Sequence, residues 1–169
     1  MSESVGGTNV YEAVPHASPE AVVVYCGDPR FQTAFEPFIE RELGLRRGQF
    51  IPFVVGGGAG VLANPERLPK EFKFMKDRFE LIHRNFPPIK RVVLINHEDC
   101  IYYRMLAQRV PGFLKDHVSK LRDRPGEDLD PIARVFHRLL AHLGLRIELY
   151  YARFTNADHS QVTFDHVLA

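Results

Sequence analysis

The chain has 169 residues, the length of one domain and enough to bury roughly 70% of the surface its unfolded form would expose. Hydrophobic residues make up 45%, charged residues 25%, and the formal charge is +1 without a basic run, so charge gives no argument for a nucleic-acid or membrane partner. No apolar stretch is long enough to span a bilayer.

The first twenty residues, MSESVGGTNVYEAVPHASPE, are small, polar and interrupted by proline and glycine, and read as a flexible arm before a single domain over 21–169. They have neither the cationic start nor the apolar core of a secretory signal, which predicts a cytoplasmic, reducing compartment where both cysteines stay as thiols. Ala21 to Tyr25 is a β-branched run, the pattern of a parallel strand buried on both faces, and it ends directly in Cys26. Phe31 to Leu43 reads as a helix stopped by Gly44, and Phe50 to Val55 as a second strand leading into Gly56-Gly57-Gly58-Ala59-Gly60. The glycine run lacks the third glycine of a dinucleotide fingerprint, because Val61 takes that place, and no P-loop lysine follows. It reads as a tight turn.

Phe72, Met75, Phe79, Ile82 and Phe86 recur at spacings of three and four, an amphipathic helix closed by Pro87-Pro88. Arg91 to Asn96 is a third strand and ends at His97. Tyr102 to Arg109 is predicted helical, Pro111-Gly112 interrupts it, and a further turn or two follows through Leu121. RDRPGEDLDP, 122–131, reads as a loop, with Pro131 in the first turn of a helix that carries Ile132, Val135, Phe136, Leu139, Leu140 and Leu143 on one face and stops at Gly144. Ile147 to Phe154 and Gln161 to Leu168 complete the elements as strands, the last at an edge. Strands alternating with helices predict an α/β fold, a mostly parallel sheet of four to five strands flanked by helices. Ligands gather beyond the carboxyl ends of such strands.

Two short signatures stand at those ends: Cys26-Gly27-Asp28-Pro29-Arg30 and His97-Glu98-Asp99-Cys100. Zinc takes thiolate and imidazole ligands tetrahedrally, and a catalytic site keeps three protein ligands so that the fourth position stays open. Cys26, His97 and Cys100 supply three, and two thiolates with a neutral imidazole balance a divalent ion. Asp28 is placed either to bind the metal itself, closing the site, or to accept a hydrogen bond from metal-bound water, with Arg30 holding its carboxylate in a fork. The two arrangements would make activity depend on pH.

Cys-x-Asp-x-Arg followed at this distance by His-x-x-Cys resembles the β-class carbonic anhydrases over roughly residues 21–105. The resemblance implies Zn2+ on Cys26, His97 and Cys100, a catalytic dyad of Asp28 and Arg30, and reversible hydration of carbon dioxide to bicarbonate by zinc-bound hydroxide. It implies a small neutral substrate and a homodimer or higher homo-oligomer, the site lying near a dimer interface that the N-terminal arm would clasp. Relatives within that family hydrolyse carbon disulfide or carbonyl sulfide on the same site. The residue after the second cysteine is typically glycine there and is Ile101 here, and the family's Arg-Asn-Ala-Gly segment appears as Gly57-Gly58-Ala59-Gly60.

The alternative is a non-catalytic zinc-binding protein of the same fold, its metal closed by Asp28. Glu98 and Asp99 read as exposed loop charges, His83, His137 and His142 as solvated helix faces, and Tyr102 and Tyr103 as either pocket lining or core. His159 and His166 fall near the last strand, where a histidine can carry protons, and nothing singles out either.

Overall fold

A computed structural model describes residues 11–62, 69–109 and 125–167. Five strands, β1 (Ala21–Cys26), β2 (Phe50–Val55), β3 (Arg91–His97), β4 (Arg146–Phe154) and β5 (Val162–Val167), form one sheet in the order β2-β1-β3-β4-β5. The first four are parallel and β5 runs antiparallel to β4. The helices are α1 (Gln32–Arg41), α2 (Pro69–Asn85), α3 (Ile101–Arg109) and α4 (Pro125–Leu140).

Val22 and Val24 with Val92 and Leu94 face a core built with Met75 and Phe79 of α2 and Phe136 of α4. Val23, Val93 and Ile95 face the opposite way, into a second core with Phe35, Phe38 and Ile39 of α1. Adjacent side chains point to opposite faces of a strand, so a continuous apolar run is what two covered faces require. Phe38 stacks on Phe164 of β5, ring centroids 4.0 Å apart, which seats α1 across the antiparallel edge.

The chain leaves β1 for β2 on one side and later returns to lay β3 on the other side of β1. Strand order therefore reverses between β1 and β3, and their carboxyl ends flank the crevice where ligands bind in such sheets. The register puts Val24 beside Leu94, so Cys26 and His97 arrive together at that crevice.

Two expectations need correction. α4 starts at Pro125, so much of the stretch expected as a loop is helix, and Pro131 lies inside it. Proline at the first helical position forfeits no bond, because the leading N–H groups have no partner within the helix, and Pro125 meets that condition as well as Pro131 does. His83 is half-buried, its Nδ1 without a hydrogen-bond partner, where a solvated position was expected. His137 and His142 are exposed as predicted. Residues 11–20 carry no helix or strand, and the expectations for 1–10 and for Pro111 to Leu121 lie outside the described residues.

Candidate metal centre

Cys26 ends β1, His97 ends β3, and Cys100 lies in the turn that leads into α3; all three are buried. Their ligand atoms lie within 4.8 Å of one another, and the two Sγ atoms are 3.6 Å apart and unbridged. Two thiolates on one tetrahedral zinc, each at about 2.3 Å, would stand roughly 3.8 Å apart. The sulfur spacing fits a shared ion.

His97 supplies the third donor. Its Nδ1 lies 2.8 Å from the carbonyl of Glu98. A carbonyl only accepts, so Nδ1 carries the proton and Nε2 carries the lone pair. That Nε2 is buried without a hydrogen-bond partner, a costly state for a polar atom unless a cation takes it. Phe31, fully buried, packs its ring 4.3 Å from the imidazole and restrains its plane.

The thiols are tuned before any metal is considered. Cys100 donates to Cys26 Sγ, burial opposes ionisation, and the Gly57 N–H, 3.3 Å from the sulfur, joins in favouring the thiolate; the net effect lowers the Cys26 pKa. Cys100, holding the shared proton and buried beside that thiolate, is raised. The glycine turn therefore brings backbone to the site. Gly57 and Gly58 have φ of +83° and +55°, and a Cβ on Gly58 would stand 3.0 Å from the Ile95 carbonyl oxygen.

Asp28 lies beside this cluster but outside it. Its side chain is 1% exposed. Arg30 donates to it through Nε, at 3.1 Å from Oδ1, and through Nη2, at 2.8 Å from Oδ2, and adds its backbone N–H at 3.1 Å. The Ile101 N–H reaches Oδ2 at 3.4 Å. Burial alone would raise this carboxyl, but the Arg30 and Ile101 hydrogen bonds and the Arg30 charge outweigh it and hold the pKa at about 2. Of the two arrangements open to Asp28, the described structure has the one in which Arg30 holds it.

Sequence reasoning missed four neighbours. Asp99 accepts from Arg30 Nη1 at 2.9 Å, and Glu98 accepts from the Phe154 backbone N–H, so neither is the loose loop charge expected. Gln32 Nε2 donates to the carbonyls of Cys26 and Asp28, both at 2.9 Å, fixing the path between the two signature residues. Phe154 packs 4.7 Å from Phe31 and carries the exposed His159 stacked on its far side at 4.3 Å. Only the proximity of Gln32 to the first signature hints at any of these. His166 packs on Tyr150 and is not part of the ligand cluster.

Tyr102 lies across Gly56, where a Cβ would come within 2.4 Å of its ring. With Val55, Phe74, Met75, Lys70 and Glu71 it lines a mainly apolar cavity of about 330 Å³ next to the glycine turn. No helix among the described residues is long and apolar enough to cross a membrane.

No protein-family model and no curated protein matches the chain. Among solved structures it is similar to the carbonic anhydrase from Glaciozyma antarctica (17% identity, 87% of this chain and 82% of that one, TM-score 0.43). It is also similar to a tetrameric β-carbonic anhydrase from Sordaria macrospora (19%, 88% and 81%, TM-score 0.42) and to the apo form of a carbon disulfide hydrolase (15%, 87% and 78%, TM-score 0.43). Likeness at this level assigns no activity, which has to come from the site itself.

Proposed function

We propose that the chain is a zinc-dependent enzyme of the carbonic anhydrase type, which adds water across one C=O bond of carbon dioxide and releases bicarbonate and a proton. The observation that carries this reading is the convergence of two thiols and an unpartnered His97 Nε2, with Asp28 held beside them by Arg30. Cys26, His97 and Cys100 would hold zinc, whose Lewis acidity ionises water near neutral pH.

The protein's own groups account for the rest. Asp28, ionised because Arg30 and Ile101 hold it so, can only accept a hydrogen bond. It takes one from the attacking oxygen and turns a lone pair toward the substrate carbon. A carboxyl held at about 2 is too weak a base to keep a proton at neutral pH, so the proton released in the reaction passes to solvent. Glu98 O fixes the His97 tautomer, and Gly57 N–H withdraws charge from the Cys26 sulfur.

A reducing, cytoplasmic setting suits two buried thiols close enough to oxidise. A homo-oligomer is what the signature's resemblance implies, and Tyr11, Val14, Val54 and Phe74 are among the large apolar side chains left exposed on this chain.

Stopped-flow hydration of carbon dioxide by the zinc-loaded protein tests the reading. Turnover that vanishes on chelation and returns with zinc is the expected result. Zinc-loaded protein without hydration, but with hydrolysis of carbonyl sulfide or carbon disulfide, would move the substrate to a sulfur analogue. No turnover on any of the three would leave a non-catalytic zinc protein.

A further inference from the structure

The Arg30 guanidinium lies between two carboxylates. On one side Nε and Nη2 fork Asp28. On the other, Nη1 donates to Asp99 Oδ2 at 2.9 Å and Nη2 to the Asp99 carbonyl at 2.5 Å. The Phe31 and Phe154 rings lie 5.9 and 5.6 Å from its central carbon, within reach of a cation–π attraction. Arg104 Nη1 approaches the other Asp99 oxygen at 3.5 Å, so Asp28, Arg30, Asp99 and Arg104 alternate in sign and sum to zero.

Arg30 contributes three of the four hydrogen bonds to the Asp28 carboxylate, two from its guanidinium and one from its backbone N–H, so where the guanidinium sits bears directly on where Asp28 sits. Arg30 is in turn anchored by a residue sixty-nine positions away, in the turn that presents His97 and Cys100. Asp99 has φ of +48°, a left-handed conformation that Asp and Asn tolerate better than most residues.

We propose that Asp99 is a positioning residue that anchors Arg30, and through it keeps the Asp28 carboxylate out of the fourth metal position. The proposal rests on the hydration site described above and adds to it the device that keeps it open. Without the Asp99 carboxylate, Arg30 can follow Asp28, and the nearest free anion to a dication is the Asp28 carboxylate itself.

The test is an azide titration of the cobalt-loaded full-length protein, followed by visible absorption, because an open fourth position takes an exogenous anion and a closed one does not. Asp99→Gly keeps the left-handed turn and deletes the carboxylate; its azide affinity is expected to fall about ten- to a hundredfold. Adding Asp28→Asn to that variant should restore affinity to near wild type, a rescue that general damage to the turn would not give. Asp99→Asn keeps shape and loses charge, and should fall between.

Equal azide affinity in wild type and Asp99→Gly overturns the proposal and leaves the metal centre standing. Should the glycine variant not fold, unchanged affinity in Asp99→Asn overturns it equally. A wild-type protein that takes up no cobalt ends both this proposal and the hydration reading.

Discussion

Arg30 meets Asp28 edge to edge, Nε and Nη2 each on a different carboxylate oxygen, while the same guanidinium is tied across the crevice to Asp99. A planar fork is needed for this, and lysine offers only a point charge. Arg30→Lys should keep the full metal content and lose about tenfold or more in hydration rate, measured by stopped flow. Unchanged turnover would show that charge alone suffices.

Asp28→Asn should also retain the metal, since Asp28 is outside the ligand cluster, and lose turnover by about a hundredfold or more, because the amide cannot reproduce an ionised acceptor. Metal content and rate are to be read on the same sample. Metal lost along with turnover would make Asp28 a ligand in the working protein.

The glycine turn gives a prediction about stability. An alanine at position 58 must adopt positive φ and bring its Cβ to 3.0 Å from the Ile95 oxygen and 3.2 Å from the Cys26 nitrogen, backbone atoms that cannot swing away. Gly58→Ala should cost about 2 kcal/mol or more and weaken metal binding, since the same turn aims the Gly57 N–H at Cys26 Sγ. Chemical denaturation and a zinc competition titration check the two parts separately.

At the far end of the sheet Arg91 forks Glu148 at 2.9 and 3.1 Å, and Arg146 adds a third contact at 2.7 Å. Burial would raise the Glu148 pKa, but the Arg91 hydrogen bonds and the two positive charges outweigh it and lower it. A carboxyl depressed in the folded state stabilises above its unfolded value, about 4.3, and that contribution is lost as pH falls through the folded value. Glu148→Gln should therefore cost about 1–3 kcal/mol at pH 7, and its deficit against wild type should shrink below about pH 4. A deficit independent of pH would contradict the charge argument.

Much of this architecture was legible in the sequence, and the residues that were not share a physical reason. β1 and β3 are β-branched runs between breakers, a pattern with few alternatives, and Cys26, His97 and Cys100 stand at or just beyond their ends. The Asp28–Arg30 pair was legible because the two residues lie only two positions apart in the chain. Asp99 was not: an acid in a short turn has no periodic signal, and its partner lies sixty-nine residues earlier, brought near only by the pairing of β1 with β3. Glu98 was missed likewise, its acceptor role depending on where β4 ends. The start of α4 was misplaced because Pro125 and Pro131 satisfy the same start rule, and local sequence does not choose between them.

Metal binding to the folded state alone must stabilise it. With free zinc at a hundred times its dissociation constant the gain is about 2.7 kcal/mol, so chelation should lower the melting temperature by about 5–10 °C in a domain of this size. An unchanged melting temperature would remove the three residues from the list of ligands.

The central claim, that Cys26, His97 and Cys100 form one metal centre, is tested most directly by cobalt titration of the metal-free protein, following the near-ultraviolet absorption that thiolates give when bound to cobalt. The account predicts saturation at one ion per chain, with the absorption reduced in Cys26→Ala and in Cys100→Ala. Full-length protein that develops no such absorption, or alanine variants that develop it as strongly as wild type, would contradict it.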